Sequence, residues 1–235
     1  MAWLQLLSSN PVQLLPPSEA SREDAYFAVD SDPCVPREWE DIRLLARHIH
    51  DLFPPTDTVP GVTLIRRANT RKFIDHDALA ALLRKESLLV REATFEMMTP
   101  EEQIRLMQNT RILIGPHGAG HTNAVFMPEK CVIYELFPKG FLDIVYRRLA
   151  DAFGHAWGMI ESDRDPALTR TAPERLAPLF RDGAWPAFAE ITNLVQTNVE
   201  ARRYVRDIDG LSVRPELIVA QLRVQYPKQW NACCH

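Results

Sequence analysis

Residues Ile112 to Pro138 read ILIGPHGAGHTNAVFMPEKCVIYELFP. An apolar run, Ile112 to Ile114, leads into a loop holding Gly115, Gly118 and Gly120. A short helical stretch near Thr122 to Phe126 follows, then Pro128 and a second apolar run, Cys131 to Leu136, with Glu135 near its end. Strands that are apolar at nearly every position suit a parallel sheet covered on both faces. Glycines just past the carboxyl end of such a strand let backbone amides and a helix N-terminus approach a phosphate. The stretch therefore predicts a nucleotide-binding α/β unit with a phosphorylated ligand at its loop.

Working outward, Val62 to Ile65 and Ser87 to Arg91 read as strands. Between them lie a polar turn through Asn69 and Arg71 and a helix from about Asp75 to Lys85. Thr99-Pro100-x-Glu102 supplies an N-cap, a proline at the first helical position and a capping-box glutamate, so a helix is expected from Pro100 to about Asn109. Downstream, Asp143 to Phe153 reads as a helix, Ala156 to Ile160 as a strand, and the pattern beyond Ser162 as helical and arginine-rich. Strands alternating with helices predict the fold class: α/β, a Rossmann-like parallel sheet with flanking helices, over residues 61–235. Residues 1–60 are punctuated by prolines around one helical stretch near Glu38 to Leu52, the pattern of a linker.

Composition narrows the function classes. Charged residues make up 25% and hydrophobic ones 46% of the chain, which fits a folded domain and argues against disorder over most of it. A net charge of −4 argues against nucleic acid as the dedicated partner, because phosphate-backbone binders carry a dominant basic face. The N-terminal apolar run lacks a basic flank and is too short to span a bilayer, so neither signal peptide nor anchor is read there. Cys34, Cys131, Cys233 and Cys234 form no C-x-x-C pair and no ligand spacing, which argues against structural zinc on cysteines.

Two other motifs pass close to the glycine loop. Gly115 to Thr122 matches the P-loop pattern G-x-x-x-x-G-K-[ST] except that His121 stands at the lysine. That lysine carries the fixed charge to the β- and γ-phosphates, so a nucleoside triphosphatase is the weaker alternative. His117-Gly118-Ala119-Gly120 is similar to the oxyanion loop of esterases, but the G-x-S-x-G nucleophile elbow that such enzymes need is missing from the sequence.

The pattern G-P-H-G-A-G-H-T-N-x-x-F-x-P followed by V-I-Y-E-L-F-P resembles the core signature of glycosyltransferase family 61. Ile65-Arg66-Arg67 with Arg71 resembles that family's arginine-bearing strand and turn, and Met98 to Ile104 its preceding helix. The likeness is good over residues 60 to 160 and looser at Arg206-Asp207-Ile208-Asp209, which resembles a closing strand. Two departures are His121, where the family usually has leucine, and Lys130, near which it often has glycine. The resemblance implies the C-terminal, donor-binding lobe of a GT-B-type enzyme, with residues 1–60 as linker and remnant of an acceptor lobe in a truncated chain. It further implies metal-independent, inverting transfer from a UDP-sugar, as substrate rather than cofactor, to a glycan or glycoprotein hydroxyl. Work in the Golgi or endoplasmic reticulum lumen follows from the family, with membrane attachment only through an anchor absent from this chain. The alternative is a non-catalytic nucleotide-sugar-binding module.

Candidate donor-binding residues follow. Gly118, Ala119 and Gly120 would open the loop, and Thr122 and Asn123 would stand at the helix N-terminus, where free amides and the dipole favour an anion; an N-cap role alone is the alternative. Arg66 and Arg71 would clamp phosphate oxygens, Arg67 being expected to point the other way along the strand; a solvated basic turn is the alternative. His117 is the candidate proton carrier or phosphate donor, or a loop histidine bonded to a carbonyl. Glu135 would emerge at the carboxyl edge of the sheet to accept from ribose hydroxyls. His117 and His121 mimic a metal pair, but the glycines between them break a continuous helix and no third ligand is evident, so no metal is expected. The residues do not single out a general base.

Overall fold

A computed structural model describes residues 38–56, 60–162, 188–206 and 208–234. Helix α1 (Glu38–Leu52) precedes β1 (Gly61–Ile65), a short strand β2 (Lys72–Phe73), α2 (His76–Lys85) and β3 (Val90–Ala93). Then come α3 (Pro100–Gln108), β4 (Thr110–Pro116), a 3-10 helix (Ala119–Phe126), β5 (Val132–Phe137), α4 (Val145–Phe153) and β6 (Ala156–Glu161). Helices α5 (Phe188–Thr197) and α6 (Val199–Arg206), strand β7 (Gly210–Leu211), α7 (Pro215–Gln225) and α8 (Pro227–Ala232) close the chain.

The five long strands pair in the order β3-β1-β4-β5-β6, all parallel. Every residue of β5 is buried, as continuous apolar patterning requires of an interior parallel strand. Alternation along the strands sends Val62, Leu64, Ile112 and Ile114 to one face, against α2 and the C-terminal helices. It sends Ile65, Leu113 and Ile133 to the other, against α1, α3, the 3-10 helix and α4. The α/β fold class and its parallel sheet thus stand, with Ile49 of α1 wholly buried in the second face. Among the described residues no helix is long and apolar enough to cross a membrane.

Counted in chain order within the sheet, the strands run 2-1-3-4-5, so the chain reverses direction between β1 and β4. In open α/β sheets ligands bind beyond the carboxyl ends of the strands at such a reversal. The glycine loop after β4 and the arginines after β1 both emerge there. The short strands β2 and β7 pair separately, Lys72 with Gly210 and Phe73 with Leu211. The closing strand expected near residues 206–209 is therefore two residues long and begins at Gly210; Asp207 lies outside the described residues.

Several boundaries differ from the sequence expectation for local reasons. The strand expected at Ser87 to Arg91 runs from Val90 to Ala93, because Ser87 adopts φ 64° and Leu88 bridges to Cys234 instead. The capping box on α3 forms in full, the Glu102 amide donating to Thr99 Oγ1 at 3.3 Å and the Thr99 amide to Glu102 Oε2 at 2.7 Å. The short helix begins at Ala119, ahead of the expected Thr122. Lys130 takes φ 62°, the left-handed conformation that glycine adopts without strain. Its place in the turn before β5 gives a physical reason for the glycine that the family resemblance leads one to expect there. Lys130→Gly should leave stability unchanged or raise it by up to about 1 kcal/mol, read from chemical denaturation midpoints.

Two buried histidines set a pH dependence. Desolvation pushes His121 and His155 down to about 4, so both are neutral in the folded chain at pH 7. Between the ordinary imidazole value near 6.5 and about 4, the unfolded chain takes up protons that the folded chain refuses. Stability should therefore fall as pH drops through that window, by up to roughly 3 kcal/mol per histidine. Denaturation midpoints measured from pH 7 to pH 4 should show this slope, and His121→Leu should reduce it, His155 keeping its share.

Candidate nucleotide-binding site

Above the carboxyl ends of β1 and β4 opens a cleft of about 550 Å³, within the usual range for small-molecule sites. Its apolar wall comes from Leu45 and Ile49 of α1, Ile65, Phe95 and Val125; Arg67, Thr122 and Asn123 supply polar groups. Gly115 makes the approach of loop to strand possible, since a Cβ there would stand 2.5 Å from Ile65 Cβ.

Gly118 is the crowded point of the loop. It has φ 157° and ψ 177°, and a Cβ on it would meet Arg67 Nη1 at 2.6 Å and Arg71 Nη1 at 3.1 Å. Two guanidiniums converge on one glycine. Arg67 Nε donates to Thr70 O at 3.2 Å and Arg71 Nη1 to His117 O at 2.6 Å, hydrogen bonds that orient both cations on carbonyls without formal charge. Arg71 itself sits at φ 57°, held by its amide donating to Ile208 O at 2.7 Å where β2 and β7 meet.

The arginines are placed differently from the expectation. Arg66 turns to the α2 side of the sheet, where Nη2 pairs with Asp77 at 2.5 Å and Glu92 at 2.8 Å. Arg67, expected to point away, lines the cleft. The two do face opposite ways, but Ile65 packs on the cleft side, so the next cleft-facing position is Arg67 and not Arg66.

Glu135 is also placed otherwise. It is fully buried, with Oε1 2.7 Å from His117 Nδ1 and Oε2 accepting from Trp157 Nε1 at 2.7 Å. A buried carboxylate needs partners on both oxygens, and here they are side chains rather than ribose hydroxyls. Glu135 thus holds His117, whose ring lies between Phe137 at 4.9 Å and Tyr146 at 5.4 Å between centroids. Only 6% of His117 is exposed. His121 packs on the same tyrosine, at 5.3 Å, with Nδ1 turned to Gly118 O. The two histidines share Tyr146 as a floor, and each Nδ1 has its own partner within the protein.

At the helix start, Ala119 and Thr122 are exposed and Asn123 and Gly120 half-buried, so their polar edges face the cleft mouth. Sequence reasoning missed Arg67, Tyr146 and Trp157. The strand alternation around Ile65 carried the signal for Arg67, and an indole N–H beside a buried acid is a standing reason to look for Trp157.

A family model for glycosyltransferase 61 matches residues 12–134, just over half of the chain. The chain belongs to glycosyltransferase family 61. It is 34% identical over 85 residues to the EGF domain-specific O-linked N-acetylglucosamine transferase of Drosophila melanogaster, a match spanning 36% of this chain and 16% of that protein. It is 29% identical over 96 residues to alpha-1,3-arabinosyltransferase XAT3 of Oryza sativa subsp. japonica, covering 37% and 16% respectively. A beta-1,2-xylosyltransferase of the same rice is 31% identical over 84 residues, 36% of this chain and 15% of that protein. The chain thus matches about a sixth of the length of these family 61 relatives.

Within family 61, the histidine at position 121 is explained by its surroundings. It is wholly buried, neutral and packed on Tyr146, the environment of an apolar side chain. His121→Leu should fold with a denaturation midpoint close to that of the wild type, whereas Gly118→Ala should displace Arg67 and Arg71 and lower stability by about 1–3 kcal/mol through overpacking. Chemical denaturation of the two variants distinguishes them.

Proposed function

We propose that the cleft binds the diphosphate of a UDP-sugar and that the chain is the donor-binding, C-terminal lobe of a GT-B-type glycosyltransferase. The carrying observation is the convergence of Arg67 and Arg71 on Gly118 at the reversal of the sheet. Bidentate guanidiniums match phosphate oxygens, and with the amides at the start of the 3-10 helix they supply charge that a metal supplies in other transferases. The apolar wall of Leu45, Ile49 and Phe95 offers a surface for the base.

In the inverting reaction, the acceptor hydroxyl oxygen bonds to the anomeric carbon as the bond to the diphosphate breaks, and UDP leaves with its new negative charge on the arginines. The acceptor proton passes to a base. His117 is a poor choice for that base, being 6% exposed and walled by Phe137 and Tyr146 with Nδ1 held by Glu135. Its place supports a positioning role instead, since its carbonyl receives Arg71. The base then belongs to an acceptor lobe outside residues 61–235. Of residues 1–60, assigned from the sequence to linker and acceptor lobe, helix α1 instead packs into the donor lobe, since Ile49 is buried against its sheet and Leu45 and Ile49 line the cleft. Glycan or glycoprotein acceptors and work in the Golgi or endoplasmic reticulum lumen belong to the same proposal, supported by relatives named as transferases acting on EGF domains or transferring arabinose or xylose.

A P-loop triphosphatase is disfavoured by the burial of position 121, where a lysine would have no path to a phosphate. Calorimetry with UDP should show binding without magnesium, weakened tenfold or more by Arg67→Ala and by Arg71→Ala, each removing a charged hydrogen bond of about 1.5–3 kcal/mol. Arg66→Ala should change it less than about threefold. Magnesium-dependent binding of ATP, or indifference to both cleft arginines, would overturn the proposal.

A further inference from the structure

His76, Asp77 and Glu92 gather where α2 begins beside β3, on the side of the sheet away from the cleft. One donor atom from each lies within 4.8 Å of the others, a spread that a small shift of the carboxylates closes onto one ion at about 2.0–2.2 Å. Acidic residues at a surface mean little alone; the informative member is His76. It is 4% exposed, and neither ring nitrogen has a hydrogen-bond partner. Its Nδ1 is aimed into the cluster, 3.5 Å from Glu92 Oε2 and 3.6 Å from Asp77 Oδ1. Those separations are long for hydrogen bonds and ordinary for ligands flanking a shared cation. Buried polar atoms without partners are rare and costly, so this ring calls for something to bind.

A cation already stands on the two carboxylates. Arg66 Nη2 reaches both Asp77 Oδ1 and Glu92 Oε2, while Arg84 takes the other oxygen, Oε1, at 2.9 Å. Arg84 can stay in place when Oε2 turns to a metal; Arg66 cannot. We infer that His76, Asp77 and Glu92 form a site for a divalent cation of the zinc class, with Arg66 as its built-in competitor. One imidazole nitrogen with two carboxylate oxygens suits Zn²⁺ or Co²⁺ better than Mg²⁺ or Ca²⁺. The incoming ion takes Nδ1, Oδ1 and Oε2, displaces the Arg66 guanidinium to solvent and gives the buried ring its partner. A double charge replaces a single one on two carboxylates. The site lies apart from His117 and His121 and supplies no group to the transfer reaction.

The test uses the whole chain, stripped with chelator and kept reduced, titrated with Zn²⁺ by calorimetry and with Co²⁺ by visible absorption. About one ion per chain should bind, with a cobalt spectrum lacking strong thiolate charge-transfer bands. Arg66→Met should tighten binding several-fold by removing the competitor, a gain that a merely structural ion pair would not produce. His76→Gln should abolish it; should that variant fail to fold by circular dichroism, Asp77→Asn, at an exposed position, should weaken binding at least tenfold. No binding to wild type or to Arg66→Met, binding that survives both ligand substitutions, or a thiolate spectrum would overturn the inference.

Discussion

A carboxylate buried in a parallel sheet organises this molecule. Glu135 sits on an interior strand with no exposure, so both oxygens must be satisfied from within. The partners come from His117 in the glycine loop and Trp157 on β6, one strand to either side. Through that bridge the loop is tied to two strands rather than left to its glycines. Because His117 is held, its carbonyl is held, and the carbonyl fixes Arg71. Order thus passes from the core to the loop and from the loop to the cation beside it.

The same chain of contacts separates two groups of charges that are adjacent in sequence. Arg66 and Arg67 follow each other, yet strand alternation sends one to Asp77 and Glu92 and the other to the cleft. One is neutralised by carboxylates at a half-exposed surface, and the other stands beside Arg71 over a glycine. A cation between fixed acids has little left to give an incoming anion.

Much of this was legible in the residues and some was not. The parallel sheet could be read because its interior strands are apolar at nearly every position, and α3 because its capping box is complete. The loop announced itself through three glycines, of which Gly115 proves to lie at the end of β4 itself; Gly115 and Gly118 stand where a Cβ would collide with Ile65 or with the arginines. Glu135 was found but given the wrong neighbours, since nothing local tells that a tryptophan 22 residues on will donate to it. Arg67 was passed over because the phase of alternation depends on which face Ile65 packs against, a tertiary fact. The short pairing of β2 with β7 carried no period of its own, two residues being too few, and only the family resemblance placed a closing strand nearby, at residues 206–209.

That pairing also dates the completion of the site during synthesis. The amide of Arg71 is held by Ile208 O, and the neighbouring ladder joins Lys72 to Gly210. A chain emerging from the ribosome can close β1, β3, β4 and β5 around the glycine loop well before those partners exist. Until residues near 210 arrive, the turn carrying Arg71 has no strand to lean on, and loop closure over so long a span is slow. Nascent chains of this protein therefore hold a formed sheet while the turn carrying Arg71 is still unanchored.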